Sequence, residues 1–286
     1  MTVRPYEKWI QTLLFMFAAV AVLTVLAITL FIFKEGLPVI FEKGILGFVG
    51  SSRWAPLSGS FGILGMIIGS VQVTMGAIAL GVPVGLACAI YLAEIADGKT
   101  SGIIHPGIEL LAGIPSVVYG FFGLSVVVPF LRNHLPGNGF SILAGSIILA
   151  IMILPTVVNI SESSIRSVNA DYSSGSLALG ASHWQTIVKV ILPAARSGIV
   201  ASVILGMGRA IGETMAVIMV TGNVTSIAGS VFDPVRTLTG NIAIEMGYAA
   251  GEHREALFAT GVILFLFIMF LNLATTCFFR KAGDIK

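Results

Sequence analysis

Six long apolar stretches constrain this chain more than any other feature of its sequence. They are Ile10–Phe33, Ile63–Leu92, Ile103–Leu131, Phe140–Val158, Gly198–Thr221 and Ala256–Phe279. A helix that crosses a bilayer needs about 20 mostly apolar residues, and each stretch is near or above that length. Only 10% of the 286 residues are charged, against about 25% in globular domains. The sequence therefore predicts an all-α integral membrane protein with six transmembrane helices.

The first apolar stretch resembles a signal peptide only superficially. Arg4 and Lys8 precede it, but Ile10–Phe33 is 24 residues long, whereas the apolar core of a cleaved signal has about 7–15 residues. We therefore expect an uncleaved first span, which with the extracytoplasmic segment after it occupies residues 1–60. The main transmembrane domain is expected at 61–280, with its largest cytoplasmic loop at 159–197.

The distribution of basic residues predicts the orientation in the membrane. Six spans put both termini on one side, and cytoplasmic loops of membrane proteins are enriched in Lys and Arg. With both termini in the cytoplasm, nine Lys and Arg residues fall inside and six outside, while Arg209 lies within a span. The multi-pass chain is therefore expected to have both termini in the cytoplasm.

Several functional classes find no support in the composition. Cys88 and Cys277 both lie in apolar stretches, and the four histidines show no metal-ligand spacing, so we expect no metal site. A net charge of +2 with scattered basic residues does not favour nucleic-acid binding. There is no phosphate-binding Walker loop, so the chain is predicted not to be an enzyme and to hold no cofactor of its own.

Two charges interrupt the fifth apolar stretch. Arg209 and Glu213 lie in GMGRAIGETMAVIMV, four residues apart. Four residues of a helix give about 6 Å of rise and about 400° of rotation, so an unbroken helix would place both on one face, within reach of an ion pair. A charge at the bilayer centre costs about 2.5–3.5 kcal/mol, and such residues usually face a bundle interior or a wet cavity.

Two interpretations of this pair are open. In one, Arg209 and Glu213 form a structural bridge or bond to neighbouring helices. In the other, Arg209 offers its guanidinium donors to an anion in transit, while Glu213 holds the arginine or competes for it. Glu109 lies about two turns into the third stretch, where a carboxylate can simply reach the interface.

A helix–turn–helix is predicted in the 159–197 loop. Leu177, Ala181, Trp184, Val188 and Ile191 recur at spacings of four and three, which places them on one helical face. Gly180 supplies a flexible break, and Pro193, after Leu192, ends the second half. The apolar face either rests on lipid headgroups or docks a soluble partner.

The segment GASHWQTIVKVILPAARSGI resembles the cytoplasmic EAA loop of type I ABC importer permeases. That loop has an EAA triplet, three residues, a glycine, nine residues and then Ile-x-Leu-Pro. Gly180, Leu192 and Pro193 fall at the matching positions, with Val190 in place of the isoleucine. The EAA triplet is replaced by Ser-Gly-Ser at 174–176, so no role of an acidic residue carries over.

Three further motifs make the resemblance more specific. The stretches Leu111–Leu124, Gly208–Val217 and Thr237–Gly247 are similar to phosphate permease subunits of the PstC/PstA type, and the last two favour PstC. The similarity covers the chain from about Trp54 to Asn272. It implies the type I ABC importer permease (MetI-like) fold and a bacterial plasma (inner) membrane location.

The resemblance also implies partners and site residues. A PstA-like second permease would complete the pore, a PstB-like ATPase dimer would bind ATP-Mg beneath it, and an extracytoplasmic phosphate-binding protein would dock on top. Arg209 and Glu213 would serve translocation. Coupling to the ATPase would fall to Leu177, Gly180, Ala181, Trp184, Val188, Ile191, Leu192 and Pro193.

Two alternative functions stay open at this point. The first alternative is a permease for another oxyanion, such as sulfate or molybdate. A secondary transporter or channel without an ATPase would also explain six spans and intramembrane charges. The helix–turn–helix discriminates, because a free-standing transporter needs no surface for an ATPase.

Overall fold

The computed structural model describes the backbone of residues 5–283 and the side chains of residues 9–273. Two short antiparallel strands, β1 (Trp54–Ala55) and β2 (Ser60–Phe61), pair near the start of the chain. The rest of the regular structure in this part of the chain is helical. The α-helices are α1 Pro5–Lys43, α2 Ile45–Gly50, α3 Leu64–Glu94, α4 Gly98–Gly113, α5 Ser116–Phe122, α6 Val128–His134, α7 Ile142–Arg166, α8 Ala170–Ala178, α9 His183–Thr186, α10 Leu192–Ala194, α11 Arg196–Gly212, α12 Met215–Val220, α13 Leu238–Glu245 and α14 Glu252–Gly283.

The number of predicted spans is confirmed when one bent helix pair is included. Five segments are long and apolar enough to cross a membrane: Trp9–Lys43, Leu64–Glu94, Ser116–His134, Ile142–Arg166 and Glu252–Leu273. A sixth arises from 183–194 and α11, which meet at an angle of 69°. This bend follows Pro193 by two residues, so the proline lies in the last turn before the chain changes direction.

Two predicted boundaries were wrong. The expected continuous span Ile103–Leu131 is two helices, because α4 ends at Gly113 and Ile114 is extended before Pro115, a conformation that a following proline favours. The expected loop at 159–197 begins later, since α7 continues to Arg166. Ser141 starts α7 by accepting a hydrogen bond from the Ala144 amide at 3.1 Å.

Glycines let the central helices approach closely. A Cβ built at Gly81 of α3 would lie 3.0 Å from the Ala150 carbonyl oxygen of α7, and one at Gly85 would lie 2.9 Å from a Val157 methyl. A side chain at either position would push the neighbouring helix away, so these two glycines serve close helix packing. Gly113 differs, because a Cβ there would meet no described atom within 4 Å.

Three layers of core follow one another along α3. Ile63 and Met66 belong to a cluster with α13 and α14, and Val73 joins a central cluster with α7 and α12. Ala89 and Leu92 join a third cluster with α7 and the segment that follows α9. The bundle therefore has two distinct ends, named here the α13 end and the α8–α9 end.

The first helix packs on the last one. Phe31 and Phe258 meet edge to face with ring centroids 5.5 Å apart. A Cβ at Gly36 would lie 2.7 Å from the Ala259 amide nitrogen, which shows how closely the two backbones approach. Residues of α1 and α14 thus share one core cluster at the α13 end.

Candidate functional site

The helix that carries Arg209 is interrupted at Glu213, the second intramembrane charge. α11 ends at Gly212, and Glu213 takes an extended conformation with φ −70° and ψ 132°. The Glu213 carboxylate then turns forward, and its Oε1 accepts a hydrogen bond from the Ala216 amide at 3.2 Å. An anionic acceptor at a helix start offsets the unpaired amides there. Glu213 therefore caps the start of α12.

The possible ion pair between Arg209 and Glu213 does not form among the described residues. The chain leaves helical geometry at Glu213, and the Glu213 carboxylate bonds forward to the Ala216 amide. Arg209 is exposed, and within residues 9–273 its guanidinium makes no hydrogen bond or ion pair. The arginine is therefore available to a ligand or a partner.

A second helix break lies across from the first. Pro115 starts α5, which packs against α12, and a Cβ at Gly120 would lie 2.9 Å from the Ala216 Cα. The Tyr119 hydroxyl donates to the Leu111 carbonyl at 2.7 Å, across the α4–α5 break. Two interrupted helices thus meet through α5 and α12.

The helix–turn–helix prediction is confirmed by α8 and α9. Gly180 has φ +87°, in the left-handed region that favours glycine, and a Cβ there would meet no described atom within 4 Å. Ser182 starts α9 with a capping box, in which its hydroxyl accepts from the Gln185 amide and the Gln185 side chain accepts from the Ser182 amide. Local sequence therefore fixes this turn.

The apolar residues predicted for one face divide between surface and core. Leu177, Trp184 and Val188 are exposed, Trp184 by 61%. Ala181 is half-buried, and Ile191 is 97% buried in the cluster at the α8–α9 end, so its assignment to the exposed face was wrong. The physical reason is that one turn of π-helix at Ile187–Ile191 rotates the following side chains inward. Leu192 is half-buried and Pro193 exposed.

Sequence reasoning missed the most exposed apolar residue of this element. Leu179 is 91% exposed, at the end of α8 directly before Gly180. The sequence signal of its exposure is that Leu179 follows the last turn of α8 and directly precedes a glycine. Together Leu177, Leu179, Trp184 and Val188 form an exposed apolar surface, named here the α8–α9 surface.

A buried carboxylate at the α8–α9 end was also missed. Glu162 of α7 is almost fully buried, and its Oε1 accepts from Arg166 Nε at 2.8 Å and lies 3.1 Å from His105 Nε2. Arg166 Nη2 also donates to the Leu92 carbonyl at 2.6 Å. The predicted candidate Glu109 is exposed at the rim of the adjoining cleft of about 630 Å³. These bonds join α3, α4 and α7.

The structure thus combines a bundle of membrane spans, an interrupted helix and a helix–turn–helix at one end of the bundle. A family model described as "Binding-protein-dependent transport system inner membrane component" matches residues 81–283. The chain belongs to this family of multi-pass inner-membrane permease subunits.

Two similar proteins are named as permease proteins. The chain is 41% identical over 266 residues to "Probable ABC transporter permease protein YqgH" of Bacillus subtilis, covering 89% of this chain and 86% of that one. It is 35% identical over 260 residues to "Phosphate transport system permease protein PstC" of Mesorhizobium japonicum, covering 84% and 79%.

Solved structures agree with the fold. The permease in a bacterial alginate ABC transporter complex matches with a TM-score of 0.64 and 15% identity, over 94% of this chain and 96% of that one. The MetNI methionine ABC transporter matches with a TM-score of 0.59 and 19% identity, over 74% and 92%. At these identities the likeness shows the ABC importer permease fold alone.

Proposed function

We propose that the chain is a PstC-type permease subunit of an ATP-driven importer of inorganic phosphate. The observation that carries this proposal is the exposed Arg209 guanidinium at an interrupted helix in the bundle. The relative in Mesorhizobium japonicum that bears the name of a phosphate permease supports the choice of substrate.

Phosphate carries one to two negative charges near neutral pH, and these must be offset when it leaves water. An arginine offers a planar fork of donors that matches an oxyanion, and bonds of this kind are about twice as strong as neutral ones. Arg209 suits this role because Glu213 is engaged by the Ala216 amide and leaves the guanidinium unpaired within the described side chains. Glu213 contributes by fixing the end of the span beside the arginine.

The α8–α9 surface is the element that we assign to coupling. Its exposed apolar side chains lie beside a turn fixed by Gly180 and the Ser182 capping box. In the proposed complex this surface fits a PstB-like ATPase dimer, which holds ATP-Mg and hydrolyses ATP. A PstA-like second permease completes the pore, and an extracytoplasmic phosphate-binding protein delivers the ion.

This assignment also sets the orientation. An ATPase acts in the cytoplasm, so the α8–α9 end would face inward and the α13 end outward. The basic residues of the sequence favour the same orientation, with both termini in the cytoplasm.

The proposal is tested by reconstituting the complete complex in proteoliposomes with ATP inside and the binding protein outside. We expect uptake of radiolabelled phosphate that requires ATP, with sulfate and molybdate taken up far more slowly. Import of sulfate or molybdate without phosphate would contradict the substrate and favour another oxyanion. Phosphate uptake without the ATPase would contradict the ATP-driven mechanism.

A further inference from the structure

A buried carboxylate at the α13 end gathers four separate segments of the chain. Glu245, the last residue of α13, is 94% buried. Its Oε1 accepts from Arg236 Nη1 at 2.5 Å, and its Oε2 accepts from Trp54 Nε1 at 2.9 Å and lies 2.7 Å from His253 Nε2. A buried carboxylate is stable only when its oxygens are satisfied in this way.

Arg236 extends this network to the far end of α12. Its Nε donates to the Asn223 carbonyl at 2.9 Å, and Asn223 Nδ2 donates in turn to the Ile218 carbonyl at 2.8 Å. Asn223 has φ +55°, an unusual conformation for a residue with a side chain. Because Ile218 lies in the last turn of α12, this helix ends against residues that Glu245 holds.

α13 also reaches the near end of α12. Thr239, in its first turn, donates from Oγ1 to the Glu213 carbonyl at 3.0 Å, which is the carbonyl left without a helical partner by the break. Thr237 starts α13 by accepting from the Gly240 amide at 3.1 Å. Both ends of α12 are therefore tied to α13 and its carboxylate.

We infer that Thr239 and Glu245 are positioning residues for translocation. They hold the helix break at Glu213, and with it the Arg209 segment, in the geometry that the passing anion meets. This inference rests on the proposed function. Neither residue contacts the ion; each acts through α12.

The hydrogen bonds that join α13 to α12 explain why the α13 end contains buried charged residues. Apolar packing alone would hold α13 against α3 and α14, whose residues surround Leu238. Directional hydrogen bonds also fix the distance between the Glu245 network and the helix break at Glu213. A change at Trp54 or His253 therefore has a route of hydrogen bonds to the Arg209 segment, through Glu245, Arg236 and α12.

Thr239→Val provides the first test, because valine keeps the shape and removes the donor. The matched control is Thr260→Val, since Thr260 is also buried but donates only to the Ala256 carbonyl of its own helix. In the reconstituted complex we expect Thr239→Val to lower kcat for uptake by up to about tenfold, the value of one hydrogen bond, with KM for the loaded binding protein unchanged. Thr260→Val should change neither.

A second readout does not depend on the substrate. Gly212 is exposed, and a side chain there meets no described atom within 4 Å, so Gly212→Cys in a background with Cys88→Ala and Cys277→Ala reports on the break. We expect Thr239→Val to change the rate of labelling by a small thiol reagent severalfold. Glu245→Gln, which removes the charge that holds Arg236, should shift the rate in the same direction.

The outcomes separate the inference from the proposed function. If the wild-type complex imports sulfate and not phosphate, the proposed substrate fails, while labelling at position 212 still tests the ties to α12. Labelling and kcat in Thr239→Val that equal those in Thr260→Val would overturn the inference. A raised KM for the binding protein at unchanged kcat would overturn it too, because α13 would then serve docking.

Discussion

Glu213 accepts a hydrogen bond from the amide of Ala216 at 3.2 Å, and this bond lies in the first turn of α12. This bond gives the acidic residue of the span a partner three residues ahead of it, on the far side of the helix break. Arg209, four residues behind, is left exposed and without an ion pair among the described side chains. Glu213 therefore has a structural role, whereas Arg209 is available to an anion.

Replacement of Glu213 tests its capping role. Glu213→Ala removes the acceptor, so the complex should lose about 0.5–1.5 kcal/mol of stability, the net value of one hydrogen bond. Glu213→Gln keeps an oxygen that accepts from the Ala216 amide and should lose less. Thermal unfolding of the purified complex measures both, and equal losses in the two variants would show that charge, and not the cap, matters.

The turn between α8 and α9 requires a glycine. Gly180→Ala places a side chain at φ +87°, and the left-handed conformation should cost about 1–2 kcal/mol. Gly175→Ala, in the preceding helix where a Cβ also meets open space, is the control and should be neutral or stabilising. Amide hydrogen exchange over residues 176–187 should accelerate only in Gly180→Ala; equal protection in both variants would contradict the assignment.

Ile191 and Val188 separate packing from coupling. Ile191→Ala empties a fully enclosed site and should cost about 2–5 kcal/mol of stability. Val188→Ala, at an exposed position, should change stability by no more than about 0.5 kcal/mol. Thermal unfolding of the permease measures the difference, and similar losses would mean that Val188 is buried as well.

The α8–α9 surface makes a prediction about assembly. Trp184→Asp puts a charge in the centre of the exposed apolar surface and should abolish copurification of the ATPase subunit, because a buried unpaired charge is costly. Leu57→Asp is the control, since Leu57 is fully exposed at the opposite end of the bundle. Retention of the ATPase by Trp184→Asp would contradict the coupling role.

Much of this architecture is readable from the sequence because its signals are local. Apolar length marks the spans, and Gly180 marks the turn by its need for a left-handed conformation. The break at Pro115 also had a local signal, since a residue before proline avoids helical geometry. The expected continuous span Ile103–Leu131 did not take this proline into account.

The features that the sequence did not predict have non-local causes. The extended Glu213 that ends α11 is bonded through its carbonyl to Thr239, 26 residues further along the chain. No spacing in GMGRAIGETMAVIMV encodes that bond, so the sequence indicated a continuous helix with an ion pair as one of two interpretations. The burial of Ile191 likewise depends on packing against α7 and on one π-helical turn.

The most direct measurement is ATP-dependent phosphate uptake by complexes that carry a substitution at Arg209. Arg209→Ala should reduce uptake by at least about tenfold, since a charged hydrogen bond contributes about 1.5–3 kcal/mol. Arg209→Lys, a point charge without the fork, should restore part of it. Arg132→Ala, which removes an arginine bonded to the Asn138 carbonyl away from the break, should leave uptake unchanged. Wild-type uptake by an intact Arg209→Ala complex would contradict the central claim.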